Sequence, residues 1–286
     1  MTELRLPAAQ ADVDPGRASI QFVGNATVVL RYAGLTVLTD PSFVHAGDHV
    51  HLGYGLRTKR LLDPALELED LPPLDLVLLS HLHGDHFDQA AEARLDRDVP
   101  IVTTPHAARR LARRGFRRTI ALRPWERLTV LKPPARLAIT ATPGRHGPRP
   151  AAWLLPPVMG SVLELGPITA RPALRLWISG DTLVTDTLHE LPRRWAGIDL
   201  ALLHLGGTRV LGVLVTMDAA QGVEALRRVQ PRRALPIHTD DYDVFTSSLD
   251  DFLEAARAAG FGDRIVTLAR GERLDLEVPA PQRARP

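Results

Sequence analysis

The sequence predicts an α/β protein, a four-layer αββα sandwich of two mixed β-sheets with helices outside. Two observations lead to this prediction. The chain opens with hairpin-like strands and then alternates strands with helices, and its second half repeats the same β-then-α order. No linker or short-period repeat divides it. We therefore expect a single domain over residues 1–286, with a core at about 19–275 and frayed ends.

The first half of the chain begins with alternating apolar residues. They predict a strand over Ser19–Leu30 and a second over Leu35–Thr39, after a turn at Tyr32–Gly34. Residues 43–73 are rich in Gly, His and Pro and predict a long irregular segment, which in a compact domain is usually functional or mobile. The apolar run Leu74–Ser80 predicts a buried strand. Helices are then expected at 90–95 and 106–114, and strands at 101–104, 119–122, 127–131 and 137–142.

The second half contains two helices with clear end signals. The Asp218 carboxylate is expected to cap a helix that ends at Val229, because it can accept the first free N–H groups. Gly260 is expected to end a helix over Leu249–Ala259. A further helix is predicted at 187–195, and strands at 162–165, 174–179, 200–205, 233–237 and 265–268.

The composition excludes several classes of protein. Hydrophobic residues make up 45% and charged residues 24%, as in globular proteins rather than disordered ones. There is no cysteine, so any zinc site has to use histidine and carboxylate ligands. Met1–Arg17 lacks the apolar core of a signal peptide, and no apolar run approaches the ~20 residues that span a membrane. We expect a cytoplasmic protein without a membrane span.

Positive charge is carried almost entirely by arginine, since Lys59 and Lys132 are the only lysines. Arginine stays protonated, so the isoelectric point is 9.4 although the net charge is only +2. Binding to a nucleic acid needs a concentrated basic patch, and the candidate is the arginine-rich segment 109–118. A solvated helix face explains this segment as well. A small-molecule substrate is therefore expected rather than a nucleic acid, and the sequence does not indicate an oligomeric state.

The strongest chemical feature lies directly after the predicted strand 74–80. Four side chains capable of binding metal fall within six residues there: His81, His83, Asp85 and His86. The first two are two positions apart and project to the same side of an extended segment, so that both imidazoles can reach one ion. Gly84 allows the chain to turn, so that the other two can reach a second point. A solvated histidine-rich turn does not explain four such groups after an apolar strand.

Three more residues of ligand type follow later apolar strands: His146 after 137–142, Asp181 after 174–179 and His238 after 233–237. Each has a glycine or a proline close by. One tetrahedral zinc ion needs about four ligands and two ions need more. Each position alone is a weak indication, but together with the early cluster they indicate a larger metal site.

This pattern resembles a known superfamily. Residues 81–86 are similar to the His-x-His-x-Asp-His signature of the metallo-β-lactamase superfamily, and His146, Asp181 and His238 follow in the order of its later ligands. The resemblance covers roughly residues 19–275. It implies the metallo-β-lactamase fold, with the metals at one edge between the two sheets.

Two other segments are similar to one branch of that superfamily, which contains L-ascorbate-6-phosphate lactonase and N-acyl-phosphatidylethanolamine phospholipase D. They are Phe22–Thr27 and Leu38–Pro41. That branch usually has a histidine where this chain has Asn25. Exported antibiotic-destroying relatives use a cysteine ligand, which is missing here, and tRNA-processing relatives carry a basic arm that this chain lacks. Diiron relatives replace a cluster histidine with glutamate, so His83 favours zinc or manganese.

The resemblance also implies a role for each ligand and two divalent metal ions, Zn²⁺ or Mn²⁺. One ion would be held by His81, His83 and His146, the second by Asp85, His86 and His238, and Asp181 would bridge them. Two such ions about 3.5–4 Å apart can share a water and present it as hydroxide. We therefore expect a hydrolase whose dinuclear-metal-bound hydroxide attacks a small ester, lactone or phosphodiester, with Asp85 orienting it. A nucleic-acid-processing metallo-hydrolase and a non-catalytic metal-binding protein remain alternatives.

Several further residues have two interpretations. His204, at the end of the predicted strand 200–205, is either the leaving-group acid or a core histidine. Asp40 is a candidate acceptor for a hydrogen bond from a metal-bound histidine. Three histidines of the irregular segment either contact substrate or are simply exposed: His45, His49 and His51. Arg145 and Arg149 flank His146 and are candidates for binding phosphate or carboxylate.

Overall fold

The computed structural model describes residues 2–9, 13–53, 55–149, 152 and 154–279. The end of the tail that we expected to fray, residues 280–286, lies outside the described residues. The described chain forms two seven-stranded mixed sheets that face each other, and two small hairpins. The predicted sandwich of two mixed sheets with helices outside is therefore confirmed.

The strands, in chain order, are β1 (Thr2–Arg5), β2 (Arg17–Gly24), β3 (Thr27–Tyr32), β4 (Leu35–Thr39), β5 (His49–Gly53), β6 (Leu56–Lys59), β7 (Leu76–Leu78), β8 (Ile101–Thr103), β9 (Thr119–Ala121), β10 (Arg127–Lys132), β11 (Ala135–Pro143), β12 (Met159–Pro167), β13 (Leu174–Ile178), β14 (Leu200–His204), β15 (Arg209–Val210), β16 (Val213–Leu214), β17 (Arg233–Ile237) and β18 (Arg273–Glu277). The helices are α1 (Gln89–Arg94), α2 (Pro105–Arg113), α3 (Glu190–Arg194), α4 (Ala219–Val229) and α5 (Leu249–Ala258). Short 3₁₀ turns lie at Leu68–Asp70, Asp186–His189 and Gly262–Arg264.

The two sheets have different strand orders. The first sheet runs β1-β10-β11-β12-β13-β14-β17, and the second runs β18-β2-β3-β4-β7-β8-β9. In the first sheet β11, β13, β14 and β17 point the same way, because β12 is antiparallel to both of its neighbours and the later pairs are parallel. In the second sheet β4, β7, β8 and β9 are parallel. The carboxyl ends of several strands therefore meet at one edge of each sheet.

Apolar side chains fill the space between the sheets and the space beneath the helices. Ile20 and Leu30 of the second sheet share one core with Leu137 and Leu163 of the first. Helices α3, α4 and α5 pack on the outer face of the first sheet, and α1 and α2 pack on the outer face of the second. Asp218 accepts a hydrogen bond from the Gln221 N–H at 3.1 Å, as expected of an N-cap, and such caps contribute about 1 kcal/mol each.

Some predicted elements were wrong in their limits. Ser19–Leu30 is two strands rather than one, because the chain turns at Asn25–Ala26 between β2 and β3. The irregular segment 43–73 contains the hairpin of β5 and β6. Residues 265–268 form no strand and make only an isolated bridge between Ile265 and Ala234, and the last strand of the described chain is β18.

The N-terminus also differs from the expectation of a frayed end. Strand β1 pairs in parallel with β10, so Thr2–Arg5 belong to the first sheet. Within the part of the chain that the structure describes, no helix combines the length and apolar character that crossing a bilayer requires.

Candidate metal centre

The ends of four strands bring the seven predicted ligands together. The segment 81–86 follows β7 of the second sheet, whereas the other three follow β11, β13 and β17 of the first sheet. All seven side chains are buried. They form two clusters, in each of which the potential ligand atoms lie within 4.8 Å of one another: a first cluster of His81, His83 and His146, and a second cluster of Asp85, His86, Asp181 and His238.

The 81–86 segment is held at both of its ends by buried carboxylates. Asp40, just after β4, accepts hydrogen bonds from the Ser80 N–H at 2.6 Å and the Ser80 hydroxyl at 2.8 Å. Asp88 caps α1 by accepting from the Ala91 N–H at 2.7 Å, and it also accepts from the Val44 N–H at 2.7 Å. These bonds fix where the segment begins and where it turns into the helix.

Gly84 lies in the turn that was expected here, since the His86 N–H donates to the His83 carbonyl oxygen at 3.1 Å. This turn does not require a left-handed φ at Gly84. The backbone of β5 approaches it closely: a Cβ at this position would lie 2.7 Å from the His51 carbonyl oxygen. The Gly84 N–H donates to that oxygen at 3.0 Å. The β5–β6 hairpin is thereby attached to the ligand segment.

The first cluster consists only of imidazoles. His81 Nε2 and His83 Nδ1 face each other at 3.0 Å. His146 Nδ1 lies 2.9 Å from the Val215 carbonyl oxygen and donates its proton there, which leaves Nε2 as the free ligand atom. Burial lowers the pKa of all three rings, that of His83 to about 3. The rings are therefore neutral at physiological pH, which is the form that binds metal.

The second cluster alternates imidazoles with carboxylates. His86 Nε2 lies 3.3 Å from Asp181 Oδ2, and His238 Nε2 lies 3.3 Å from Asp85 Oδ2. Burial opposes charge on His86, but Asp181, Asp85 and Asp40 together raise its pKa well above the usual value. Burial would raise the pKa of Asp85, but His86 and His238 outweigh it and lower that pKa to about 2. The pKa of Asp181 is lowered as well, since His238 and His86 outweigh its burial.

Three further side chains contact the carboxylate or imidazole groups of the second cluster: Asp40, His204 and Thr216. His86 Nδ1 lies 2.9 Å from Asp40 Oδ2, which orients the ring so that Nε2 faces the cluster. His204 Nδ1 lies 3.0 Å from Asp181 Oδ1, and the ring is fully buried. Burial lowers the pKa of His204, so its neutral form is favoured. Thr216, which the sequence did not single out, places its hydroxyl 3.2 Å from Asp181 Oδ2.

The donor atoms fit divalent cations. Within the described residues, three buried potential ligand atoms have no hydrogen-bond partner: His83 Nε2, Asp85 Oδ1 and His86 Nε2. Buried polar atoms are rarely left without a partner unless something else binds them. Imidazole nitrogens and carboxylate oxygens in groups of three and four suit zinc or a similar ion. The arrangement therefore suits the binding of divalent metal ions.

Other predicted residues lie away from the clusters or on the surface. His49 and His51 are exposed on β5, and His45 is an exposed residue that contacts Asp63 and Glu67. Arg145 is half-buried and Arg149 is exposed. The arginines of 109–118 are exposed on and after α2, and two of them pair with acidic neighbours, Arg114 with Glu92 and Arg117 with Asp98. This matches a solvated helix face.

Comparison with known proteins identifies a family whose matched region includes all seven of these residues. Residues 36–239 match the family model described as the beta-lactamase superfamily domain. A UPF0173 metal-dependent hydrolase from Opitutus terrae is 30% identical over 231 residues, which cover 77% of this chain and 93% of that protein. One from Pyrococcus horikoshii is 26% identical over 226 residues, covering 76% and 92%.

Solved structures share the fold. An isothiocyanate hydrolase from Delia radicum gut bacteria is similar to this chain with a TM-score of 0.77 and 23% identity, covering 91% of this chain and 99% of that one. A possible metal-dependent hydrolase from Veillonella parvula has a TM-score of 0.75 and 19% identity, with 90% and 98% covered. The similar region in each case spans nine tenths of this chain.

Proposed function

This chain belongs to the beta-lactamase superfamily of metal-dependent hydrolases, and from that premise we propose that it hydrolyses a small ester, lactone or phosphodiester with two divalent cations, Zn²⁺ or Mn²⁺. One observation carries the proposal: two buried clusters of ligand atoms lie side by side at the same edge of the sandwich. A purely structural metal site would be closed around one ion, whereas hydrolytic sites of this kind often use two.

We assign the ligands as follows. The first cluster would hold one cation through its three imidazoles, and in the second cluster Asp85, His86 and His238 would hold the other. Asp181 is the proposed bridge, because its carboxylate contacts His86 at 3.3 Å and also influences the charge state of the three imidazoles of the first cluster. When bound, the cations would supply an acidified water and polarise the substrate oxygen that is attacked.

The chain's own residues position the water and its protons. Asp85 is ionised, and within the described residues its Oδ1 has no partner, so this oxygen is available to accept a hydrogen bond from the water. We propose that Asp85 thereby orients the nucleophile, in addition to acting as a ligand. No serine or cysteine nucleophile is required for this chemistry.

His204 is the proposed proton carrier. With its Nδ1–H donated to Asp181, the neutral ring presents Nε2 as an acceptor, and that atom has no partner in the described part of the chain. His204 therefore has to take up a proton before it can deliver one to a leaving group. Since burial favours its neutral form, proton uptake fits the early part of the reaction and proton delivery the later part.

The test is a substrate panel with the metal content measured in parallel. A lactone, p-nitrophenyl acetate and bis(p-nitrophenyl) phosphate represent the three proposed bond types. An isothiocyanate is added because a protein of that activity shares the fold. We expect turnover of at least one ester-type compound, with loss after chelation and recovery with Zn²⁺ or Mn²⁺.

Two variants make the panel decisive. His83→Ala removes a ligand of the first cluster and is expected to abolish turnover. His189→Ala makes the same chemical change at an exposed histidine and is expected to leave it unchanged. Two bound cations with no turnover of any compound would favour a non-catalytic metal-binding protein. Full activity of His83→Ala would refute the site.

A further inference from the structure

The turn between β2 and β3 lies against the second cluster. Its central residue, Asn25, is fully buried and has a left-handed φ of 52°. The Asn25 side-chain amide donates from Nδ2 to the Asp85 carbonyl oxygen at 2.6 Å, and the Asn25 carbonyl oxygen accepts from the His238 N–H at 3.0 Å. One residue thus joins the backbones of two proposed ligands that are far apart in sequence.

The orientation of this amide is determined by its partners. The Asp85 carbonyl oxygen can only accept, so the nitrogen of the Asn25 amide has to face it. A carboxylate at this position would place two acceptors against each other. The amide therefore contributes a directional bond that neither a smaller nor an ionised side chain can replace.

Asp241 holds the same turn from the other side. Its Oδ2 accepts from the Asn25 N–H at 2.6 Å. The carboxylate lies between two arginines, with Arg60 Nη2 at 3.3 Å from Oδ1 and Arg270 Nη2 at 2.8 Å from Oδ2. These groups also pack closely against the preceding residue, Gly24, where φ is +147°. A Cβ at this position would lie 3.2 Å from both Arg60 Nη2 and Asp241 Oδ1.

Arg60 connects this arrangement to the segment 43–73. It is fully buried after β6, and its Nη1 donates to the Ser42 carbonyl and hydroxyl oxygens, each at 2.9 Å. The next residue, Leu61, donates its N–H to the Asp241 carbonyl oxygen at 2.8 Å. A buried charge is retained at such a position only when it is fully paired, as it is here.

We propose that Asn25 and Asp241 are positioning residues that hold Asp85 and His238 at the spacing one cation needs, and that they leave the first cluster unaffected. This inference rests on the proposed two-cation site. The hydrogen bonds described above reach only the second cluster, since no bond of Asn25 or Asp241 within the described residues involves His81, His83 or His146. Loss of either residue should therefore lower the affinity of the second cluster for its cation and leave the affinity of the first cluster unchanged.

The test is a titration of the metal-free protein with Zn²⁺ against a chromophoric chelator, which yields two stepwise affinities. Asn25→Gly is the main variant, because glycine accepts the left-handed φ and keeps both backbone bonds while it removes the amide. Each step is assigned in two backgrounds, His83→Ala and His238→Ala, in which only one cluster is complete. We expect Asn25→Gly to weaken the site left in His83→Ala about 10–100-fold, as is usual for residues that orient ligands. The site left in His238→Ala should keep its affinity.

Asp241→Asn has a matched control elsewhere in the fold. Glu164 is also a buried carboxylate between two arginines, with Arg127 at 2.7 Å and Arg175 at 3.5 Å, but it lies on β12. Asp241→Asn and Glu164→Gln should both lower the melting temperature of the metal-free protein. Only Asp241→Asn should weaken binding of the second cation. Both variants are needed for this comparison, whereas the Asn25→Gly titration tests the positioning role independently of it.

The possible results separate the two proposals. Fewer than two equivalents of Zn²⁺ on the unaltered protein would defeat the two-cation site itself. Two other results would overturn only the positioning role, provided that the unaltered protein binds two equivalents of Zn²⁺. One is an equal loss of Zn²⁺ affinity at both clusters in the variants. The other is unchanged Zn²⁺ affinity in both Asn25→Gly and Asp241→Asn. The same weakening in Glu164→Gln as in Asp241→Asn would also overturn the positioning role, because general destabilisation would then account for the effect.

Discussion

The two clusters of the candidate centre lie side by side, but they are built differently. The first consists of three neutral imidazoles whose pKa values are lowered by burial. The second contains two ionised carboxylates, and in the metal-free protein their charge keeps the His86 ring protonated to a higher pH than usual. The first cluster thus lacks negative charge of its own, whereas the second has negative charge that is partly balanced by a proton.

The difference shows how one sandwich edge can offer two unequal cation positions. Neutral ligands need no proton removed, but they give a cation no charge compensation. Carboxylates give that compensation, but a cation has to displace the proton on His86 first. Asp181 influences the charge state of groups in both clusters, so replacing it is expected to affect both of them.

The largest effect is expected from Asp181→Ala. Asp181→Ala removes the proposed bridging carboxylate, so we expect the turnover of the loaded protein to fall to that of the metal-free protein. Kinetics with the best substrate of the panel and metal analysis measure the effect. Asp186→Ala removes an exposed carboxylate and serves as the control. Retained turnover in Asp181→Ala would mean that the clusters work independently.

Single-ligand variants should separate the clusters. His83→Ala and His238→Ala are each expected to reduce the bound cations from two to one, because each leaves the other cluster complete. Elemental analysis of the purified variants measures the stoichiometry. Loss of both cations in either variant would show that the clusters bind as one unit.

Asp40→Asn should have a smaller effect, which is expected to be largest in the second cluster. Asp40 orients His86 at 2.9 Å, and loss of such a partner typically lowers metal affinity 10–100-fold. Zn²⁺ titration of Asp40→Asn in the His83→Ala background measures it. Asp75→Asn changes a carboxylate that pairs with Lys132 and is the control. Equal Zn²⁺ affinity in Asp40→Asn and Asp75→Asn would show that Asp40 does not support metal binding.

The smallest effect is a difference in pH dependence. His86 has a raised pKa in the metal-free protein, so below that pKa a cation must displace its proton, and the second cluster should weaken as the pH falls. One displaced proton corresponds to about tenfold in affinity per pH unit. The first cluster should show little change over roughly pH 7–8, because burial lowers the pKa of its three imidazoles and they are already neutral there. Calorimetry of the single-cluster variants in several buffers measures the protons released, and identical proton release from both would contradict the difference.

Much of the fold could be predicted because local patterns determine it. Apolar runs indicated the strands that end at the site, and the cap at Asp218 was visible in the sequence. The turn at Asn25 was missed for a simple reason. Ile20, Phe22, Val28 and Leu30 all occupy even positions, so their alternation continues across a two-residue turn as if the strand were unbroken.

Some residues of the candidate site could likewise be predicted from local patterns, and others could not. Its ligand-type residues were visible because each follows a strand. Asn25 and Asp241, in contrast, meet across 216 residues of chain, and no local pattern signals such a contact. The pairing of β1 with β10 was missed for the same reason, since Thr2–Arg5 carry too few apolar residues to indicate a strand.

Each cluster takes ligands from both sheets: the segment 81–86 follows the second sheet, and the other three ligands follow the first. A bound cation therefore fastens one half of the sandwich to the other, in a chain that has no cysteine for a covalent clamp. Separating the layers would require releasing the ion, and a ligand present at 1,000 times its dissociation constant adds about 4 kcal/mol against unfolding. The proposed catalytic ions would then also stabilise the fold, and the melting temperature would increase with the concentration of free metal.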